Sequence, residues 1–124
     1  MSDSSGLGLF VLVLAVILGG TGVGTLVGAK PAMERLEQVP TWLHVPLGVT
    51  ALVASVGLVA GRVLVLEAAL VGAALAMAHY AVISGWHMFA GDRRFVAPAV
   101  LCVFSGVILA LLIQVYAEVL ASMR

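Results

Sequence analysis

Charge is what this chain has least of. Six basic and six acidic residues make up 10% of its 124 residues and cancel to a formal net charge of zero. Neither sign dominates, so there is no basic surface to follow a nucleic-acid backbone and no acidic tail. Cysteine is scarcer still. Cys102 stands alone, which excludes an intramolecular disulfide and any CxxC redox or zinc motif within the chain. It reads as a small apolar residue packed in a helix. The three histidines, His44, His79 and His87, include no pair spaced i, i+4, so the spacing names no metal site. No Ser/His/Asp arrangement and no pair of buried carboxylates emerges either, and the shortage of intramembrane charge argues against a proton pump acting alone.

What the chain has instead is apolar length. Hydrophobic residues make up 63% of it, and the mean hydropathy is +1.22. A soluble domain has about half apolar and about a quarter charged residues. A helix needs about 20 apolar residues to cross the roughly 30 Å hydrocarbon layer, and four stretches qualify: residues 7–28, 41–61, 63–85 and 95–119. The expected fold is all-α, a single-domain integral membrane four-helix bundle. No Lys or Arg precedes Lys30, so the first run is expected to be a retained helix rather than a cleaved leader. The second span contains Pro46, expected as an internal kink that neighbouring helices compensate. Between spans one and two, PAMERLEQ (residues 31–38) opens with a proline in the favoured first turn. Met33, Leu36 and Val39 share one face of it, which predicts a short interfacial helix. Gly91-Asp92 is the expected turn between spans three and four.

This topology sorts the polar residues. Lys30, Arg35, Arg93 and Arg94 fall on the side away from the termini (side B), and Arg62 and Arg124 fall on side A. The positive-inside rule then places side B in the cytoplasm of a cell-membrane protein. All three histidines and both tryptophans, Trp42 and Trp86, gather at or near side B. The tryptophans suit interfacial anchoring. Glu67, near side A, is expected to reach the headgroups or to pair with Arg62. Gln114 is expected as a buried inter-helix contact and Glu118 as a solvated group.

Helices in lipid associate through close backbone approach and polar contacts, for which small residues at four-residue spacing are the sign. Span one has Gly20, Gly24 and Gly28. Span two has Thr50, Ala54, Gly57 and Gly61; span three has Val65, Ala69, Gly72, Ala76 and His79; span four has Cys102, Gly106, Ala110 and Gln114. These faces predict a compact bundle, with self-association or docking of other membrane subunits as uses for any that remain. The glycine run 20–28 does not have dinucleotide-fingerprint spacing and lies inside a span.

An ionisable residue within the membrane is by default a functional hypothesis. His79, about two turns from the side B end of span three, is the leading candidate. The plain reading is a hydrogen bond to a neighbouring helix, for instance at Thr25. The functional reading is a quinone-like ligand held by His79, with His44 and Thr25 nearby. Haem is disfavoured, because a bis-histidine site needs two histidines at similar depth, and His44 and His87 belong near the interface.

A glycine-rich first span ending at Ala29-Lys30, then PAMERLEQ, Thr41-Trp-Leu43 and GVTALVASVGLVAG (residues 48–61) resembles the DoxX-like family of small four-span membrane proteins. The resemblance covers roughly residues 18–85. Members carry a glutamate shortly after the glycine of span two, where this chain has Thr50. The resemblance implies the fold, the membrane location and work as an accessory subunit near quinone chemistry. Three functions follow as expectations. The first is a non-catalytic, redox- or quinone-linked accessory subunit or anchor. The second is a quinone- or small-molecule-binding oxidoreductase component with its pocket near His79, and the third a small oligomeric transporter.

Overall fold

The computed structural model describes residues 2–63 and 65–123, with the side chains of all but residues 2–5, 35, 62 and 63. The described residues form no strand. They fold into α1 (Ser2–Val27), α2 (Lys30–Arg35), a 3-10 turn (Thr41–Leu43), α3 (His44–Val63), α4 (Leu66–Phe89), a second 3-10 turn (Arg93–Phe95) and α5 (Val96–Ser122). Four segments are long and apolar enough to cross a membrane: Gly6–Val27, Thr41–Gly61, Leu66–Phe89 and Arg93–Ser122. At about 1.5 Å per residue, even the 21-residue segment Thr41–Gly61 reaches across the hydrocarbon layer. A helix satisfies its own backbone polar groups, which is why apolar runs of this length take that form in lipid. The fold is an all-α four-helix bundle of membrane-spanning character.

Pro46 does not kink the second span. The chain enters through the 3-10 turn and begins its α-helix at His44, which leaves Pro46 in the first α-turn. There a missing N–H costs little, because the first N–H groups of a helix have no partner within it. The Pro46 carbonyl accepts a 2.7 Å hydrogen bond from the Thr50 hydroxyl.

Packing runs α1 on α3, α3 on α4 and α4 on α5, while α1 and α5 touch only sparingly. The α3–α4 seam is the tightest. A Cβ on Gly72 would lie 2.7 Å from the Ala54 carbonyl oxygen and 2.8 Å from the Leu58 nitrogen, and one on Gly57 would lie 2.9 Å from the Ala68 carbonyl oxygen. The predicted small-residue stripes of spans two and three are therefore the ones that meet. Around this seam, Leu14 and Leu18 of α1, Ala54 and Leu58 of α3, Ala73 and Ala76 of α4 and Ile108 of α5 form one buried core.

Two other stripes behave differently. In α1, Gly20 faces open space, and the close approach is made by Gly22 against Leu52 and the Gly48 carbonyl. Beside it, the Ser55 hydroxyl donates to the Ala15 carbonyl at 2.7 Å. Gly28 instead ends the helix, with φ +72°. In α5, Cys102 Sγ donates to the Met77 carbonyl at 3.5 Å and Gly106 faces the Met77 sulfur, but Ala110 and Gln114 are exposed. Gln114 is thus not the buried residue expected of it. The buried positions of that stretch of α5 are Ile108 and Leu112, so the expected stripe fits only its first half. Glu67 is exposed in the first turn of α4; its expected partner, the Arg62 side chain, lies outside the described residues.

Candidate functional site: a cavity at the side B end

Both helices that end at side B stop in the same way. After α1, the Ala29 N–H donates to the Gly24 carbonyl at 2.8 Å and the Gly28 N–H to the Thr25 carbonyl. After α4, the Asp92 N–H donates to the His87 carbonyl at 2.8 Å and the Gly91 N–H to the Met88 carbonyl. In each case a glycine at positive φ (Gly28, Gly91) closes a Schellman motif, which only glycine enters without steric cost. These two stops fix the floor of the site. The first sends the chain into α2 and across the bundle end. The second folds Asp92 back over the last turn of α4.

Residues Leu36, Val39, Leu47 and Ile83 then pack together, with Met33 and Leu43 beside them, and so dock the connection between α1 and α3 on α3 and α4. Met33, Leu36 and Val39, expected to share one face of a helix lying along the membrane surface, all belong to this cluster and so pack on the bundle. His44 helps to hold it: its Nε2–H donates to the Val39 carbonyl at 3.0 Å.

Where α1 and α5 part, a cavity of about 760 Å³ opens. Thr21 and Thr25 of α1 form one wall, and Val96, Ala97, Pro98 and Leu101 of α5 form the other. The back is a stripe of α4, Tyr80, Ile83 and His87, and the rim is Pro31, Ala32, Glu34, Leu36 and Arg94. The lining is mostly aliphatic, with a few polar groups converging at one end. That is the composition of ligand pockets, which typically hold about 300–1,000 Å³.

The polar end is organised around Asp92. Arg94 grips the carboxylate with Nη2 at 2.6 Å and Nε at 2.9 Å from Oδ2, and its backbone N–H donates to Oδ1 at 2.9 Å. Gln38 Nε2 donates to Oδ2 at 3.4 Å, and His87 Nδ1 lies 3.3 Å from the same oxygen. The Arg94 side chain and backbone N–H hold the Asp92 carboxyl well below the usual carboxylate range, and Gln38 adds a smaller push. Asp92 is thus an anion and an acceptor only, so His87 must donate to it from Nδ1. Arg94 also pairs with Glu37 at 2.8 Å and donates to the Glu34 carbonyl at 3.3 Å, which clasps the start of α5 to the α2 connection.

Of the three sequence candidates, only Thr25 lines the cavity; it is buried at 7% exposure. His79 is buried at 2% exposure with its ring edge-on to Tyr80, centroids 5.0 Å apart, but it is not on the wall. It continues the Gly72–Ala76 stripe, whereas the cavity is lined by the neighbouring stripe Tyr80–Ile83–His87, one residue and about 100° further round the helix. His44 is committed to Val39. The structure does not bring these three residues together on one ligand.

His87, which the sequence sets near the interface beyond the third span of residues 63–85, lies within α4, which runs to Phe89 and buries His87 at 1% exposure. The available signal was Gly91-Asp92: a glycine at the C′ position puts the preceding turn, and so His87, inside the helix. Among the described residues, no group of three His, Cys, Asp or Glu side chains is placed to hold a metal ion. Comparison with family models, curated proteins and solved structures finds no match to this chain.

Proposed function

We propose that the protein is a membrane-embedded component, not catalytic on its own, that holds a quinone-like amphiphile in the cavity between α1, α4 and α5. In this reading it works in the cell membrane beside a redox partner. The observation that carries it is the cavity itself: about 760 Å³, aliphatic along its walls, with Thr21, Thr25, Tyr80 and His87 among its lining groups. A flat ring bearing oxygens suits the polar end and an isoprenoid or alkyl tail suits the aliphatic walls. The parted α1–α5 seam supports access from the bilayer, where such molecules reside. The DoxX-like resemblance favours the same chemistry.

Two measurements test the reading. Extraction in mild detergent followed by mass spectrometry of the retained small molecules is expected to recover a quinone-class compound. Decylubiquinone titrated into the protein in nanodiscs is expected to bind saturably. Thr25→Leu, which replaces a wall hydroxyl by bulk, should weaken that binding by about tenfold, the scale of one lost hydrogen bond together with overpacking. Saturable binding unaffected by this substitution would move the site elsewhere.

A further inference from the structure

We infer that Thr21 and Thr25 are the specificity-determining pair of the cavity: their hydroxyls hold two ring oxygens of the ligand and select against a ring that carries none. The inference rests on the quinone reading above and names the side chains that recognise the ring.

A hydroxyl inside a helix commonly turns back on a carbonyl three or four residues earlier, which satisfies it locally. The long helices of this chain follow that pattern. Thr50 donates to the Pro46 carbonyl at 2.7 Å, Ser84 to Ala81 at 3.2 Å, Ser105 to Leu101 at 2.8 Å and Ser122 to Val119 at 2.8 Å. Ser55 reaches across to α1 and donates to the Ala15 carbonyl. Among the described residues, no hydrogen bond occupies the hydroxyl of Thr21 or Thr25. These two are the threonines that line the cavity.

Thr25 is the sharper case. It is buried at 7% exposure, yet its hydroxyl oxygen is not sealed in and a water-sized molecule still reaches it. This stretch of α1 is backed by α3. A Cβ on Gly48 would lie 3.3 Å from the Thr25 Cβ, and one on Gly22 would lie 2.9 Å from the Gly48 carbonyl oxygen. A hydroxyl held this deep without a protein partner needs one from elsewhere, and a ligand oxygen supplies it.

Thr21 and Thr25 stand on one face of α1, four residues and so about 6 Å apart along the axis. A ring with oxygens on opposite edges, laid lengthwise on this wall, meets both hydroxyls. Aliphatic walls alone do not tell such a ring from a plain hydrocarbon. Polar groups that the wrong molecule leaves unpaired do.

The test uses the full chain in nanodiscs and two probes at equal mole fraction in the lipid. One is decylubiquinone; the other is decylbenzene, which keeps a ring and the tail but carries no oxygen. Decylubiquinone is expected to bind at least about tenfold more tightly. Thr21→Val and Thr25→Val, which keep the side-chain shape and remove its oxygen, should each weaken decylubiquinone binding about fivefold. Neither should alter decylbenzene, and the double variant should bring the two probes close to equal. Thr25→Ser, which keeps the hydroxyl, should retain the preference, and Thr50→Val, on α3, should change neither probe. Equal affinities for the unaltered protein would overturn the inference while leaving the cavity reading intact, and this comparison needs no variant to fold. Binding that falls in Thr25→Leu but not in Thr25→Val would also overturn it, leaving shape as the selector. So would an equal loss in Thr50→Val, which would mark a general loosening of the fold. Absence of saturable decylubiquinone binding would overturn both readings.

Discussion

The α3–α4 seam and the α1–α5 seam are built from the same kinds of residue and end in opposite states. Between α3 and α4, glycines at 57 and 72 bring two backbones so close that an added Cβ would meet backbone atoms at 2.7–2.9 Å. Between α1 and α5, a T-shaped Phe10–Phe104 pair with centroids 6.0 Å apart bridges the helices, and toward side B they part into the cavity. A small residue is therefore a packing device only where another backbone comes to meet it. Gly20 and Ala97 are as small as a close seam requires, yet the first faces open space and the second faces the cavity.

The largest expected effect breaks the closed seam. Gly72→Val must push α3 away from α4, and a forced overpacking of this kind costs about 1–3 kcal/mol. It should appear as a clear fall in the detergent melting temperature. Gly20→Ala in the same assay should stay within about 1 kcal/mol of the original or gain slightly, since the methyl meets nothing and alanine is the better helix former. Equal losses for the two would mean that the seams do not differ as described.

The open seam is sharpened by the converse change. Ala97→Phe fills the cavity from the α5 wall, so it should leave thermal stability unchanged or raised while abolishing decylubiquinone binding. A substitution of similar size at Gly72 should do the reverse, losing the fold and the binding together.

A smaller effect is expected from the clasp. Arg94 is half exposed and its partner Glu37 is more so, so their ion pair adds little to global stability. Arg94→Gln should therefore shift the melting temperature only slightly, while faster hydrogen exchange in the α2 connection reports the loosened rim.

The smallest effect is the response to acid. Asp92 has an ordinary value of 3.8 and is held well below it in the fold. Its contribution to stability is then present above that ordinary value and is lost only as pH falls through the depressed one. The Asp92 side-chain carboxyl carbon resonance should show no carboxyl titration step from about pH 7 to about pH 4. A carboxyl titration step of Asp92 within that window would show that the carboxylate is not gripped as the geometry indicates.

Legibility in the sequence followed the physics of each feature. The four spans were readable because hydrophobic length against bilayer thickness is a one-dimensional quantity. The α3–α4 stripes were readable because glycine and alanine recur there at four-residue spacing on both helices. Pro46 was misjudged as a kink because a 3-10 entry at Thr41–Leu43 moves the helix start without changing composition. Gln114 was misjudged because depth along a helix says nothing about which neighbour its side faces. The different placement of His79 and His87 has the same cause: one residue of rotation on α4 separates the stripe that continues a packed seam from the stripe that lines the cavity.

The sequence by itself determined that the chain carries four stretches long and apolar enough to cross a membrane, that it carries few charges and that its histidines cluster toward one end. Only the tertiary structure decided which small-residue faces close and which stays parted, and that Asp92 returns over His87 at the polar end of the opening. The reason is that lipid tails are as apolar as leucine. Hydropathy in such a chain distinguishes membrane from water but does not distinguish lipid from a neighbouring helix, and that choice is made by shape.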